Sequence, residues 1–402
     1  MALRTRAEWV LPASMLIGTF AWSFVYVSLP FHIQKMSTLD PAATLRWTGW
    51  ILGISPLITV VTAPISGRLG EHIDPKRGFI AVQAFQGLGF LGMALARSLP
   101  EMLFARMLLG LMGAVSTFAF IMVGRSGGDV RRQVSYIQSG MTLGQVLGPA
   151  AGALVAARVG FRLSFIVGAF MLWGCSALVS WGVPSGQPRD AATAGTRTTS
   201  LRELVTVSLV VLAGSTQVFF LTSILPQILP PLGVPLESTL EVGGFLIFVT
   251  GIAASLGAMA APRLADLMGD RRAVLWFLLG SSLFLAAIGA AGHVWSFGAL
   301  RFLQVLCIAP VFPLSVAAIA QRASGEAIGF VNSARIGAAF IGPVVATTLL
   351  SSMPPATVYL VLAGMGVSVI PLVARLNRRA RPWSEAPPWG EAPPRGEGGR
   401  RA

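Results

Sequence analysis

The sequence predicts an all-α membrane protein, with twelve transmembrane helices arranged as two parallel-repeat six-helix bundles. Three observations predict it. Of the 402 residues, 54% are hydrophobic and only 11% charged, against about 25% charged in a soluble domain. The apolar residues fall in runs of about twenty, the length that crosses a bilayer as helix. A membrane β-barrel would instead alternate polar and apolar residues in shorter segments. Finally, the second half of the chain repeats features of the first in the same order.

The apolar runs place spans near 10–33, 44–66, 78–97, 100–122, 134–157 and 161–182 in the first half. The second half places them near 204–229, 239–261, 273–292, 296–318, 329–351 and 355–376. Residues 1–183 and 204–377 are each expected to form one bundle. The polar, Gly-, Pro- and Thr-rich segment 184–203 is expected to be a cytoplasmic linker. The Pro-, Gly- and Arg-rich segment 378–402 reads as a disordered cytoplasmic tail. Arg4 and Arg6 precede an apolar run from Trp9 to Phe31 that is too long for a signal h-region, so it reads as the first span.

Charge sets the expected orientation. The formal net charge is +14, but the basic residues flank the spans instead of forming a nucleic-acid patch. With both termini on one side, that side collects most of the Lys and Arg, including Lys76, Arg77, Arg131, Arg132, Arg271 and Arg272. Both termini are therefore expected in the cytoplasm. The scarcity of lysine (only Lys35 and Lys76) against arginine suggests a GC-rich bacterial genome, hence a bacterial inner membrane. Cys175 and Cys307 give no disulfide framework, and His32, His72 and His293 have no metal-ligand spacing.

The internal repeat has a near-constant offset of 194–196 residues. Gly67-Arg68-Leu69-Gly70-Glu71 matches Pro262-Arg263-Leu264-Ala265-Asp266, and Arg106 matches Arg301. Gln138-Ser139 matches Asn332-Ser333, Gly148-Pro149 matches Gly342-Pro343, and Leu29-Pro30 matches Leu225-Pro226. Each unit holds an even number of spans, so the halves run in the same direction. Parallel repeats about an axis along the membrane normal place a substrate site between them near the midplane.

The loop after span 2 reads Gly67 to Arg77, and the loop after span 8 reads Arg263 to Arg272. In each, small residues permit a tight turn and a carboxylate, Glu71 or Asp266, can meet a basic residue or a helix N-terminus. Span 4 carries Arg106-Met107-Leu108-Leu109-Gly110. Span 5 carries Gly144-Gln145-Val146-Leu147-Gly148-Pro149-Ala150-Ala151-Gly152. These segments resemble motifs of the major facilitator superfamily. The loops are similar to G-x-L-A-D-x-x-G-R-R/K, with Pro262 and Asp74-Pro75 as departures. Span 4 is similar to R-x-x-x-G, with Leu109 where Gln is common. Span 5 is similar to G-x-x-x-G-P-x-x-G, a motif of the twelve-span drug:proton antiporter branch.

The resemblance implies coupling or gating roles for Arg106, Glu71, Asp266, Gly144, Gly148, Pro149 and Gly152. In the family the arginine is usually paired with an acid on span 1, but span 1 has none here, and no span centre holds a carboxylate. His32, which titrates near neutrality in water, is the candidate substitute, with Glu101 and Glu241 at the membrane boundaries as others. Independently of any family, glycines four apart make a flat stripe for close helix packing, and Pro149 bends its helix. Together they are expected to form a close inter-bundle contact.

Arg106 inside a span is costly, so it is expected to face a cavity or a partner, with snorkelling as the alternative. Arg301 is expected to half-snorkel at a span end. Arg335 has no basic counterpart in the first half and is a candidate for substrate contact. The further candidates are Trp22 and Tyr26 on span 1, Gln138 and Gln145 on span 5, and Gln217 and Phe220 on span 7. Gln304 and Asn332, on spans 10 and 11, complete the set. Each could equally serve helix packing.

The resulting expectation is a secondary transporter with a small-molecule substrate. It would export a lipophilic or amphipathic compound, drug-like, metabolite or lipid-like, by alternating access, and by proton antiport as the resemblance implies. The alternative is uptake or facilitated diffusion of a metabolite or nutrient without proton coupling. No GxxxxGK[ST] segment occurs and no buried catalytic constellation is present, so neither ATP drive nor enzyme activity is expected of this chain. No cofactor, metal or nucleic acid is expected. The partners are protons and membrane lipids, and the chain is expected to be a monomer.

Overall fold

The structure is a computed structural model that describes residues 2–111, 115–125, 130–184, 200–320 and 325–375. Among these residues the secondary structure is entirely helical. Twelve helical stretches are long and apolar enough to cross a membrane. In the first half they are Trp9–Met36, Pro41–Thr62, Pro75–Leu95, Leu99–Val123, Gln133–Val159 and Phe161–Gly182. In the second half they are Leu201–Ile228, Leu236–Met268, Asp270–Ile288, Val294–Ser315, Phe330–Leu350 and Pro355–Ala374. These are spans 1 to 12. Much of the proposed linker (185–199) and all of the tail from 376 lie outside the described residues.

Local chemistry sets the span ends. The Asp74 side chain caps span 3 by accepting from the Lys76 amide at 3.0 Å, and Pro75 starts that helix with its fixed φ. At the repeat-equivalent turn before span 9, Gly269 adopts φ 85° instead, a conformation that favours glycine. The two halves thus solve one turn in two ways, which accounts for the departure of Asp74-Pro75 from the loop motif. Glu101 accepts from the Arg97 amide at 2.8 Å and from Ser98 Oγ at 2.9 Å. It is occupied at the start of its own helix.

Three spans are interrupted among the described residues. Span 7 is a helix over Leu201–Phe219 and a second over Leu221–Ile228. Span 10 breaks between Val294–Ile308 and Val311–Ala320, where Pro310 has no N–H to continue the ladder. Span 12 breaks between Pro355–Ser368 and Ile370–Arg375.

The packing obeys the repeat. In the first half span 1 lies against 5, span 2 against 4, and span 3 against 4 and 6. In the second half span 7 lies against 11, span 8 against 10, and span 9 against 10 and 12. The bundles meet through span 2 on span 11 and span 5 on span 8, a pair of contacts that the pseudo-twofold axis interchanges.

The two ends of the molecule differ. Toward the end away from the termini, one core cluster joins both bundles: Val27, Phe31, Ala153 and Ala156 pack with Phe220, Leu225, Leu229 and Leu246. Toward the termini each bundle keeps a cluster of its own. One holds Val10, Phe79, Phe118 and Val179; the other holds Val210, Ala273, Leu278 and Leu314.

Candidate substrate pathway between the bundles

The contact between the bundles is made of backbone and small side chains. A Cβ at Gly53 would lie 2.7 Å from the Phe340 ring, and one at Gly49 would lie 3.1 Å from the Pro343 carbonyl and would meet Thr347 Oγ1. Gly244 of span 8 faces Ala153 and the Pro149 carbonyl, the latter at 2.9 Å from an added Cβ. Gly251 faces Val146. Trp50 and Phe340 add a ring contact across the bundles, with centroids 5.6 Å apart. Apart from Pro149, these residues were not among the sequence candidates. The signal was present, because Gly49 and Gly53 form a small-xxx-small pair.

The glycine stripe of span 5 has a different partner from the one expected. A Cβ at Gly148 would lie 2.7 Å from Ser23 Cβ and 2.8 Å from the Phe20 carbonyl. Gly140 faces the Pro12 carbonyl, Gly144 faces Thr19 and Leu16, and Gly152 faces Phe24. All of these belong to span 1. The stripe therefore builds the first bundle from within, and the expected inter-bundle contact is corrected accordingly. The opposite face of the helix, carrying Val146, Pro149 and Ala153, meets the second bundle. A helix with 3.6 residues per turn carries both faces at once.

Below this contact span 5 exposes two chemically distinct stripes. Gln138, Thr142 and Gln145 share one side and are exposed, and Leu143, Leu147 and Leu154 share the other and are exposed too. An exposed leucine stripe suits lipid, whereas amides within a span need water or polar partners. By helical spacing the amide stripe lies on the same side of span 5 as Pro149, whose carbonyl Gly244 of span 8 approaches. Asn332 of span 11, the repeat partner of Gln138, is also exposed. Arg335 is half-buried one turn later. Its guanidinium lies over Phe312, 4.6 Å from the ring centroid, and no hydrogen bond from it is present among the described residues.

Arg106 is 2% exposed. Its Nε donates to the Ile51 carbonyl at 3.1 Å and one Nη to the Leu52 carbonyl at 2.9 Å. Leu52 is the residue whose carbonyl Pro56 leaves unpaired, because proline has no N–H for the helical bond. The guanidinium also lies 5.7 Å from the Trp22 ring centroid and 5.8 Å from that of Tyr26. One turn further, Gly110 brings span 4 against the Ser55 carbonyl, and Thr62 donates to the Gly110 carbonyl at 2.8 Å. Both fixed positions of R-x-x-x-G thus face span 2.

Arg301 does not snorkel, as the sequence suggested it would half do. It is 1% exposed, and it donates to the Gln217 carbonyl at 2.8 Å and the Val218 carbonyl at 2.9 Å. Those carbonyls sit at the interruption of span 7, so a span 10 side chain replaces bonds the broken helix lacks. Gln304 accepts from Arg301 at 2.5 Å and donates to Ser281 at 2.8 Å. Ser281 donates to Gln217 Oε1 at 2.6 Å, and Gln217 donates to Ser282 at 3.2 Å. Gln217, Phe220 and Gln304 are fully enclosed and belong to this network, not to an exposed wall.

The repeat reaches these buried bonds. Trp22 donates to Gln86 at 3.2 Å, and the equivalent positions Gln217 and Ser281 are also bonded. Arg106 and Arg301, equivalent in turn, find carbonyls and ring faces as partners, not carboxylates. The Glu71 side chain lies outside the described residues. Asp266 is exposed in the last turn of span 8. No group of His, Cys, Asp and Glu among the described residues is arranged to hold a metal.

Comparison with known proteins agrees with this architecture. Residues 12–239 and 211–397 match the Major Facilitator Superfamily. The chain is 26% identical over 334 residues to an uncharacterized MFS-type transporter, YuxJ, of Bacillus subtilis, covering 80% of this chain and 84% of that one. It is 25% identical over 373 residues to the multidrug resistance protein MdtG of Citrobacter koseri, covering 86% and 88%. Among solved structures it resembles the nucleoside transporter NupG, with TM-score 0.72, 13% identity and 93% and 98% coverage. It also resembles a human organic anion transporter, with TM-score 0.68, 16% identity and 92% and 99% coverage. The chain is a twelve-span membrane transporter belonging to the major facilitator superfamily.

Proposed function

We propose that the protein exports a small lipophilic or amphipathic compound across the bacterial inner membrane by alternating access, driven by proton antiport, with both termini in the cytoplasm. The observation that carries this reading is the asymmetry of the bundle contact. One apolar cluster is shared at the end away from the termini, and separate clusters lie at the other end. Two rigid bundles joined by glycine-lined contacts can rock about them, exposing a central path to one side at a time.

Gln138, Gln145, Asn332 and Arg335, with Trp22 and Tyr26 deeper in, are the proposed walls of that path. Aromatic and amide walls with few fixed charges suit amphipathic compounds, because apolar contacts discriminate weakly. The export direction rests on the span 5 motif and on relatives named as multidrug resistance proteins. A second reading, facilitated diffusion without proton coupling, is favoured by one observation: the buried arginines are held by carbonyls and not by acids.

Proteoliposomes carrying the purified chain test the proposal. Fluorescent lipophilic cations and neutral amphiphiles are loaded, a pH gradient of either sign is imposed, and dye and internal pH are followed together. Export predicts opposed movement of dye and protons. Flux indifferent to the gradient would establish the facilitator in its place.

A further inference from the structure

A second polar feature lies away from this path. At the end opposite the termini, the bundles border an open cavity of about 1110 Å³. Both bundles contribute walls, from the last turn of span 1, the turn between spans 5 and 6, span 7, and the start of span 8. Its floor is buried and largely apolar, with Phe31, Ala156, Pro226 and Leu240 around His32. Its mouth is charged, with exposed Lys35 and Arg162 against one carboxylate, Glu237.

His32 is the unusual member. It is 8% exposed, and neither Nδ1 nor Nε2 has a hydrogen-bond partner among the described residues. Phe161 and Phe165 hold the ring at centroid distances of 5.1 and 5.4 Å. An enclosed imidazole with both nitrogens unsatisfied is costly, and a polar group entering the cavity would satisfy it. The repeat shows that the fold does not require these residues. At the same offset, His32, Lys35 and Arg162 correspond to Ile228, Pro231 and Ala356. Three polar positions have been placed around one cavity in one half only.

We propose that this cavity binds an amphipathic anion: a carboxylate or phosphate head received by His32, Lys35 and Arg162, on an apolar body that packs against Phe31, Phe161 and Leu240. Two cations against one carboxylate select the sign of the head, and charge-assisted bonds supply the strength. The same chemistry is offered by a phospholipid of the adjoining leaflet and by a free amphiphile such as a medium-chain carboxylate. The site is independent of the direction of transport.

Photolabelling of the full chain in phosphatidylcholine nanodiscs tests this, with a diazirine-bearing palmitate as probe. Label should concentrate on Phe31–Met36 and Phe161–Leu163. The double variant Lys35→Gln/Arg162→Gln, confined to exposed side chains, should weaken the probe's apparent affinity about tenfold. His32→Phe keeps the ring stack and should weaken it as well, with a melting temperature no lower than that of the unaltered chain. Suppression by added phosphatidylglycerol but not by decanoate identifies a lipid site; the reverse identifies a site for a free amphiphile. Label spread over the lipid-facing Leu147 and Phe245, with no response to Lys35→Gln/Arg162→Gln, would overturn the proposal.

Discussion

Arg106 and Arg301 stand at equivalent positions of the repeat and repair different backbones. Arg106 pairs the carbonyl that Pro56 frees in span 2, and Arg301 pairs those at the interruption of span 7. A coupling between Arg106 and Pro56 follows. Arg106→Ala should cost about 2 kcal/mol by stranding a buried carbonyl. Pro56→Ala, which restores the missing N–H, should recover about 1 kcal/mol of that loss in the double variant. Denaturation of the four proteins in detergent measures the cycle, and purely additive costs would show that the two residues do not communicate. A buried arginine within a span was legible from the sequence. Its partners were not, because carbonyls some fifty to eighty residues away leave no trace in side-chain chemistry.

At the scale of helices, span 5 illustrates how a motif can be read correctly and placed against the wrong neighbour. Glycine spacing established that a close contact exists, but spacing does not say which neighbouring helix fills the groove. The answer required the angle between the faces of Gly148 and of Ala153, which point to span 1 and span 8 respectively. Gly148→Leu is therefore expected to overpack the first bundle and lower its stability by about 2 kcal/mol. Gly244→Leu should leave each bundle intact and weaken only the contact between them. Thermal unfolding separates the two, and equal melting losses would refute the assignment of faces. The two exposed stripes of span 5 give a further expectation. Cysteines at Gln138, Thr142 and Gln145 should react with a charged thiol reagent, whereas cysteines at Leu143 and Leu147 should be protected by lipid. Equal reactivity of both stripes would remove the amide stripe from the path.

For the whole molecule, twelve spans and a twofold repeat were legible because bilayer thickness and a near-constant sequence offset are strong constraints. The state of the molecule was not legible. Which end is closed depends on contacts such as Gly53 with Phe340, more than 280 residues apart in the chain. Such contacts bring together two apolar surfaces that composition cannot tell from lipid-facing ones. The proposed alternating access requires the bundles to move as bodies about this contact. Spin-label distances under a wedge substitution test it most directly, without a known substrate. In a background lacking Cys175 and Cys307, one label pair is placed at Leu39 and Ser352, beyond the closed end. A second pair is placed at Arg77 and Arg272, at the end that carries the termini. Gly53→Trp, which drives a ring into Phe340, should lengthen the first distance and shorten the second. Lengthening of both, or no change in either, would contradict a rocking motion of two rigid bundles.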